Sequence, residues 1–415
     1  MEEKINDIPD GWTSEDFGNL ISDKRKSTLK VSDATNFGVY PFFTSGEAIL
    51  LHNEKQIDGE NIFLTTGGVA NVKYHNGEVA YSTDTYAITS NEIINVKFLF
   101  YYSQNIISYI NLNYFQGSGL KHLQKKDLKK HKVDFPKTSK EQNKIADILS
   151  KVDKAISETE INIAKYNRIK TGLMQDLLTK GIDEKGNIRS EQTHEFKDSP
   201  IGRIPKDWDV LKLWEIGSKK SPYLKTGPFG SSLKTEHWVD EGMPVITIGS
   251  LGDDDFIQEN LLFISEKKAN ELSAYKLIQD DILFSRVAEI GRSLVIKHKQ
   301  SGWIMSSNFM RLRLDQNTYL SDFIYLLIKY SNAFQKQITE NVNESGRSVT
   351  NSGILNSFIF PKVEINEQRK ILEKINLIND FLNNLKIELN KLKSTKKGLM
   401  QDLLSGKKRV THLIN

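Results

Sequence analysis

The side chains of this chain that could do chemistry fall into two sets. The first is polar and sits in glycine-rich stretches. In the first half it comprises Thr65, Thr66, Gly67, Asn71 and Lys73, then Gln116, Ser118, Lys121 and Lys125. In the second half it comprises Gly230, Ser231, Ser232, Lys234, Arg286, Arg292, Asn308, Arg347 and Ser348. Arginine forks onto guanine, asparagine and glutamine onto adenine, and hydroxyls and amides onto phosphate, so these are candidate contacts to double-stranded DNA. Taken singly, each Gly/Ser stretch is more simply a turn. The same kind of stretch at corresponding places in both halves argues for the DNA reading. A run of seven lysines, at 121, 125, 126, 129, 130, 132 and 137, reads either as a solvated face or as a phosphate-binding stripe.

The second set is acidic: Asp253, Asp254 and Asp255, with Glu266-Lys267-Lys268 downstream. Carboxylates beside a lysine could hold Mg²⁺ and an attacking water. Glu266, however, opens a stretch that reads as a helix start, so no catalytic residue is assigned. Other chemistries lack their motifs. No two prolines are adjacent, which removes the Asn/Asp-Pro-Pro-aromatic signature of an adenine methyltransferase. There is no Gly-x4-Gly-Lys-Ser/Thr phosphate cradle. There is no cysteine, hence no disulfide and no thiolate site, and no His pair at zinc spacing, so no metal site is expected.

The elements that must position these loops follow from an internal duplication. Gly172-Leu-Met-Gln-Asp-Leu-Leu178 recurs letter for letter from Gly398, an offset of 226 residues. Glu141-Gln142 recurs at the same offset as Glu367-Gln368, and Phe135-Pro-Lys137 recurs at an offset of 225 as Phe360-Pro-Lys362. Leading into and through each duplicated word runs a 3.5-residue seam that is apolar except for Thr159 and for a Lys at the same place in both copies, Lys170 and Lys396. The first seam takes positions 145, 149, 152, 156, 159, 163, 166, 170, 173 and 177, and the second the same set displaced by 226. Two long helices are predicted, with Ser139 and Asn366 as N-caps, Gln142 as capping-box partner, and Gly181 and Gly406 as ends. Each is roughly 60 Å long at 1.5 Å per residue. The two seams are natural partners for each other. Paired antiparallel, they would make a rod that sets the distance between the variable parts. Gly172 and Gly398 fall inside these helices, as tolerated defects or as points of kinking or close packing.

The variable parts, residues 10–135 and 206–360, alternate short β-type runs with glycine. Strands are expected at residues 61–64, 69–74 and 79–88, and at 244–248, 282–285, 293–297 and 309–314. One helix is expected late in each part, at 96–110 and 320–338. The fold class is therefore α+β, with two heads and two long helices. The predicted boundaries are 1–137 and 204–362 for the heads, 138–181 and 363–406 for the helices, 182–203 for a linker, and 407–415 for a tail.

Composition fits this outline. A chain of 415 residues is too long for one ordinary core. A net charge of +4 is a mild pointer to an acidic partner. The first ten residues have no apolar core, and the most apolar stretch, 96–112, is broken by Lys97, Gln104 and Asn105. Neither a signal peptide nor a membrane span is expected, and a cytoplasmic location is.

With the duplication in view, the chain resembles the specificity subunits of Type I restriction-modification systems. The residues carrying the resemblance are Ile8-Pro-Asp-Gly-Trp12 and Ile204-Pro-Lys-Asp-Trp208, and the helix starts at Phe135-Pro with Glu141-Gln142 and Phe360-Pro with Glu367-Gln368. The repeated helix ends, the linker Glu195-Phe-Lys-Asp-Ser-Pro200 and Gly227-Pro-Phe-Gly-Ser-Ser-Leu233 complete the set. The resemblance implies two target-recognition domains, each reading one half of a split DNA site, and helices that act as ruler and as dock for two modification subunits. It implies that S-adenosylmethionine is bound by those modification subunits, and ATP and Mg²⁺ by restriction/translocase subunits, with no cofactor in this chain. A metal-dependent nuclease, and a coiled-coil scaffold without DNA contact, remain alternatives at this point.

Overall fold

The computed structural model describes residues 8–229, 232–345 and 349–414. The chain forms two compact units, Met1–Ile163 with Asn384–Asn415, and Ala164–Asn383. Each unit holds one head and part of both long helices.

In the first head, four strands lie in the order Ile21–Asp23, Thr85–Ser90, Glu60–Thr65, Val72–Asn76, all antiparallel. A second sheet runs Leu50–His52, Tyr40–Phe43, Ala80–Tyr81, its last pair parallel. The second head repeats this plan. Its antiparallel sheet runs Leu224–Thr226, Phe309–Leu312, Ile282–Ser285, Ser293–Val295. Its other sheet runs Trp238–Val239, Leu262–Ile264, Met243–Ile246, Ile304–Met305, again with a parallel last pair.

The two-residue side-chain period of a strand explains the layering. In the first head Ile62 and Leu64 enter the core shared with the long helices, while Phe63 faces Phe43 and Tyr81 of the second sheet. In the second head Ile282 and Phe284 face the helices, and Leu283 faces Ile246 and Met305. Both central strands are thus buried on both faces. Each such side chain contributes about 1.5–3 kcal/mol of burial, which pins the register of the loops at the strand ends.

Several expected elements are shifted. The run 79–88 is two strands, Ala80–Tyr81 and Thr85–Ser90, in different sheets. Ser82 N donates to Phe43 O at 2.9 Å and Thr85 N to Ser82 O at 3.1 Å, so the chain turns there from one sheet to the other. Residues 69–71 belong to a loop, and the strand begins at Val72. Each expected head helix is two: Val96–Asn105 and Ile107–Asn113, then Ser321–Tyr330 and Asn332–Ser345.

The long helices are Ser139–Lys180 and Ile365–Leu403. All ten seam positions of each are buried or half-buried. Within the first unit Glu160 pairs with Lys393 at 2.8 Å and Asp153 with Lys396 at 2.7 Å, so the helices run antiparallel. Within the second, Tyr166 meets Phe381 edge-on, and Met174 and Leu177 share a core with Ile371 and Ile375.

The capping expectation is corrected. Ser139 lies inside its helix and Asn366 inside the other. Gln142 does not close a capping box. Its Nε2 donates to Pro136 O at 2.8 Å and Ile93 O at 3.2 Å, and its Oε1 accepts from Asn95 N at 2.7 Å. Gln368 does the same with Val363 O, Thr318 O and Leu320 N at 2.8, 2.9 and 2.9 Å. These buried amides tie each head's helix entry to a long helix. The neighbouring glutamates make two matching clasps. Glu141 takes Arg409 Nε and Nη2 at 2.6 and 2.7 Å. Glu367 takes Arg189, Trp208 Nε1 at 3.2 Å and Ile182 N at 2.9 Å. Gly181 and Gly406 end the helices as expected, at φ +62° and +71°. A Cβ at Gly181 would lie 2.4 Å from the Trp208 ring, and one at Gly406 2.6 Å from Pro9, so only glycine fits.

Candidate nucleic-acid interface

The polar loops that are far apart in sequence converge at one end of the antiparallel sheet in each head. In the second head the hub is Arg286, just past the strand Ile282–Ser285. Its backbone N donates to Asn308 O at 2.9 Å, and its backbone O accepts from Thr350 N at 2.9 Å. Its side chain donates from Nε to Thr350 O at 3.3 Å and from Nη1 to Ser307 O at 3.4 Å. The guanidinium also lies 5.3 Å from the Phe229 ring centre, and Phe229 is 60% exposed. Gly227 N donates to Phe309 O at 3.0 Å, which brings in the loop that leads to Phe229. A Cβ at Gly227 would sit 2.0 Å from Ser306 O, so glycine lets the two loops touch.

The first head repeats this frame with other residues. Thr66 N donates to Asp84 O at 3.0 Å, and Leu123 N to Thr66 O at 3.0 Å. Gly68 N donates to Lys121 O at 2.9 Å, and Gly67 bridges His122. Thr65 Oγ1 donates to Val69 O and accepts from Asn71 N, both at 3.0 Å, which closes the loop on itself. Val69 stands at its tip, 75% exposed. Beside it, Ser45, Glu47, Asn71 and Gln104 line a cleft of about 540 Å³.

The expected contact residues are not all equivalent in this frame. Thr66, Gly67, Asn71, Gln116 and Lys121 lie together at the first edge; Thr65 is buried with its hydroxyl spent inside the loop, and Ser118 is exposed in the turn after Gln116. Lys73 is spent within the head: its Nζ donates to Gly46 O and, at 3.3 Å, to Thr44 O, and burial lowers its pKa. Lys125 lies 4.2 Å from the Tyr86 ring centre, its pKa likewise lowered by burial. At the second edge lie Arg286, Asn308 and Ser232, whose N donates to Phe229 O at 3.1 Å. Lys234 is exposed two residues further on, with Glu236 at 3.8 Å. Arg292 is turned to Leu251 O, at 2.5 Å, and to Asp253 and Glu289, at 3.6 and 3.4 Å. Gly230, Ser231, Arg347 and Ser348 lie outside the described residues.

The lysine run is not one free stripe. Lys129 pairs with Asp23 at 2.8 Å, Lys132 with Asp16 at 2.9 Å, and Lys130 with Asp127 at 3.9 Å. His131, within the run, is held by Tyr114 Oη at Nδ1 (3.0 Å) and Tyr102 Oη at Nε2 (3.2 Å). Burial lowers its pKa, with Asp134 opposing.

The aspartates once considered for a nuclease are divided among separate cations. Asp253 faces Arg292, Asp254 pairs with Lys329 at 2.6 Å, and Asp255 with Lys299 at 2.8 Å. Glu266 starts the short helix Glu266–Glu271, capped by Ser265. Among the described residues no group of three or more His, Asp or Glu side chains is placed to hold a metal ion, and no helix is long and apolar enough to cross a membrane.

Sequence reasoning missed Ser45, Asp84 and Thr350, which the fold places on the two edges. Asp84 accepts hydrogen bonds from the hydroxyls of Ser45 and Ser82. Burial raises its carboxyl pKa, but those hydroxyls, with backbone hydrogen bonds, outweigh burial and leave it below the usual range. A Ser-Thr-Asp turn carries no local signal beyond that of a turn; only the equivalence of the heads singles it out.

Comparison with known proteins gives the family and the fold. The family model for the Type I restriction modification DNA specificity domain matches residues 9–166 and 205–394, one match per copy of the repeat. The MjaVIII specificity subunit of a Type I restriction enzyme from Methanocaldococcus jannaschii is 25% identical over 98% of this chain and 95% of its own length. The EcoDI specificity subunit of Escherichia coli is 26% identical over 52% of each chain. Among solved structures, a Type I restriction-modification S subunit from M. genitalium matches with a TM-score of 0.61 at 19% identity, over 97% of this chain and 98% of that one. A chain from a study of Type I complex assembly and conformational transition matches with a TM-score of 0.56 at 15% identity, over 96% and 99%.

Proposed function

We propose, from the premise that this chain belongs to the Type I restriction-modification DNA specificity family, that it recognises a DNA target in two parts, one head reading each half-site. The observation that carries this is the paired loop edge. Two heads of one topology present polar loops at the same end of the same sheet, held by the same main-chain hydrogen bonds. Phosphates of the duplex would be met by exposed lysines and loop amides, and base edges by side chains at the strand ends.

The duplication also supplies two equivalent faces for partners. Ile161 and Ile387, 226 residues apart in matching registers, point outward at 64% and 59% exposure. Apolar residues kept outward in both copies suit two copies of a modification subunit, and restriction/translocase subunits would join that complex. S-adenosylmethionine, ATP and Mg²⁺ would belong to those partners, and recognition to this chain.

The test is selection of bound sequences from a random duplex pool by the assembled complex. Two short specific blocks separated by a fixed run of unread pairs is the expected result. A single continuous block, or no enrichment, would contradict the reading.

A further inference from the structure

The two heads can be laid on each other through their main-chain bonds. Ser82 N to Phe43 O, at 2.9 Å, corresponds to Ser306 N to Ile246 O, at 3.0 Å. Thr66 N to Asp84 O corresponds to Arg286 N to Asn308 O, and Leu123 N to Thr66 O corresponds to Thr350 N to Arg286 O. The strand registers agree: Thr65 faces Thr85 as Ser285 faces Phe309. Heads built on one frame can prefer different half-sites at positions where the frame holds the backbone alike and the side chains differ.

Few polar frame positions meet that condition. Ser82 and Ser306 are the same residue. Arg286 differs from Thr66, but its Nε and Nη1 are already given to carbonyls of its own head. Thr350 differs from Leu123 but is 1% exposed, which leaves Asp84 and Asn308. The Asn308 side chain is half-buried and makes no hydrogen bond among the described residues. The Asp84 carboxylate is half-buried and oriented by the hydroxyls of Ser45 and Ser82. Backbone amides of Ser45 and Asp84 also approach it, so an incoming donor would share one of its roughly four lone-pair sites. An ionised carboxylate on a surface approached by phosphates is repelled unless a donor faces it. In the major groove the donors are the exocyclic amino groups of cytosine and adenine.

We propose that Asp84 and Asn308 are the corresponding specificity-determining residues of the two heads. Asp84 accepts from a base amino group, and Asn308 takes the N6/N7 edge of adenine. This rests on the loop edges facing DNA, as proposed above.

The test is the same selection from random duplex DNA, with wild type, Asp84→Asn and Asn308→Asp. Asp84→Asn should change the preference at one position of one block by at least about fivefold, the lower end for a lost base contact. The other block should be untouched, and the wild-type base at that position, cytosine or adenine, names the amino group. Asn308→Asp should act in the other block alone, and since its side chain has no partner among the described residues it also covers the case of an Asp84 variant that fails to fold. A wild type that selects a split site while the folded variants change both blocks, or neither, overturns the inference. A wild type that selects no split site overturns the underlying reading, and the inference with it.

Discussion

At the scale of single residues, the buried polar groups tie elements together more often than they await a ligand. Glu141 is 1% exposed and is met by a two-point contact from Arg409. Removing one partner of such a pair strands the other, at about 3 kcal/mol or more. Arg409→Ala, which strands the buried Glu141 carboxylate, should therefore lower the stability of the first unit by about that much, whereas exposed Glu158→Ala should cost under about 0.5 kcal/mol; chemical denaturation with and without each change measures the difference. His131 makes a pH prediction. Its folded pKa lies below the unfolded value of 6.5 because burial disfavours the charged ring. The unfolded chain thus takes the proton first, and its contribution to stability, full above pH 6.5, is lost as pH falls through the folded pKa. Melting between pH 7.5 and 5.5 should show a loss in the wild type that is smaller in His131→Asn. Equal losses would mean that burial of the ring does not control its titration.

The elements divide sharply into those legible in the chain and those not. The helices were legible because their signal is long: ten seam positions at 3.5-residue spacing, twice, with none exposed in the fold. The glycine stops at 181 and 406 were legible for the same local reason, a left-handed residue after a helix. The heads were harder. Nothing local in residues 79–88 tells that the chain crosses between sheets at Ser82–Asp84, because Phe43, nearly forty residues upstream, supplies the acceptor for Ser82 N. Gln142 looked like a capping partner by its position, and long-range bonds to Ile93 and Asn95 claimed it instead. The candidate site was half legible: loop composition found Arg286 and Asn308, while Asp84 needed the superposed frame. Gly172 and Gly398 are a further case. Neither helix is interrupted there, and nothing lies within 4 Å of where a Cβ would be. Alanine at each should stabilise the isolated chain by about 1 kcal/mol, raising its melting temperature. A destabilised Gly172→Ala would point to a packing role that the fold does not display.

On the scale of the whole molecule, one gene segment present twice has yielded two heads of one topology, two clasps and two seams. The copies differ most where DNA would be read and least where the helices pair, as expected if recognition varies on a constant frame. The central claim is that each head sets its own half of the target. The most direct measurement exchanges residues 206–360 for the corresponding segment of another family member and determines the bound sequence of the complex before and after. The account predicts that one block of the target changes to the donor's, while the other block and the length of the unread run stay as they were. Both blocks changing together, in a chimera that folds and binds, would contradict it.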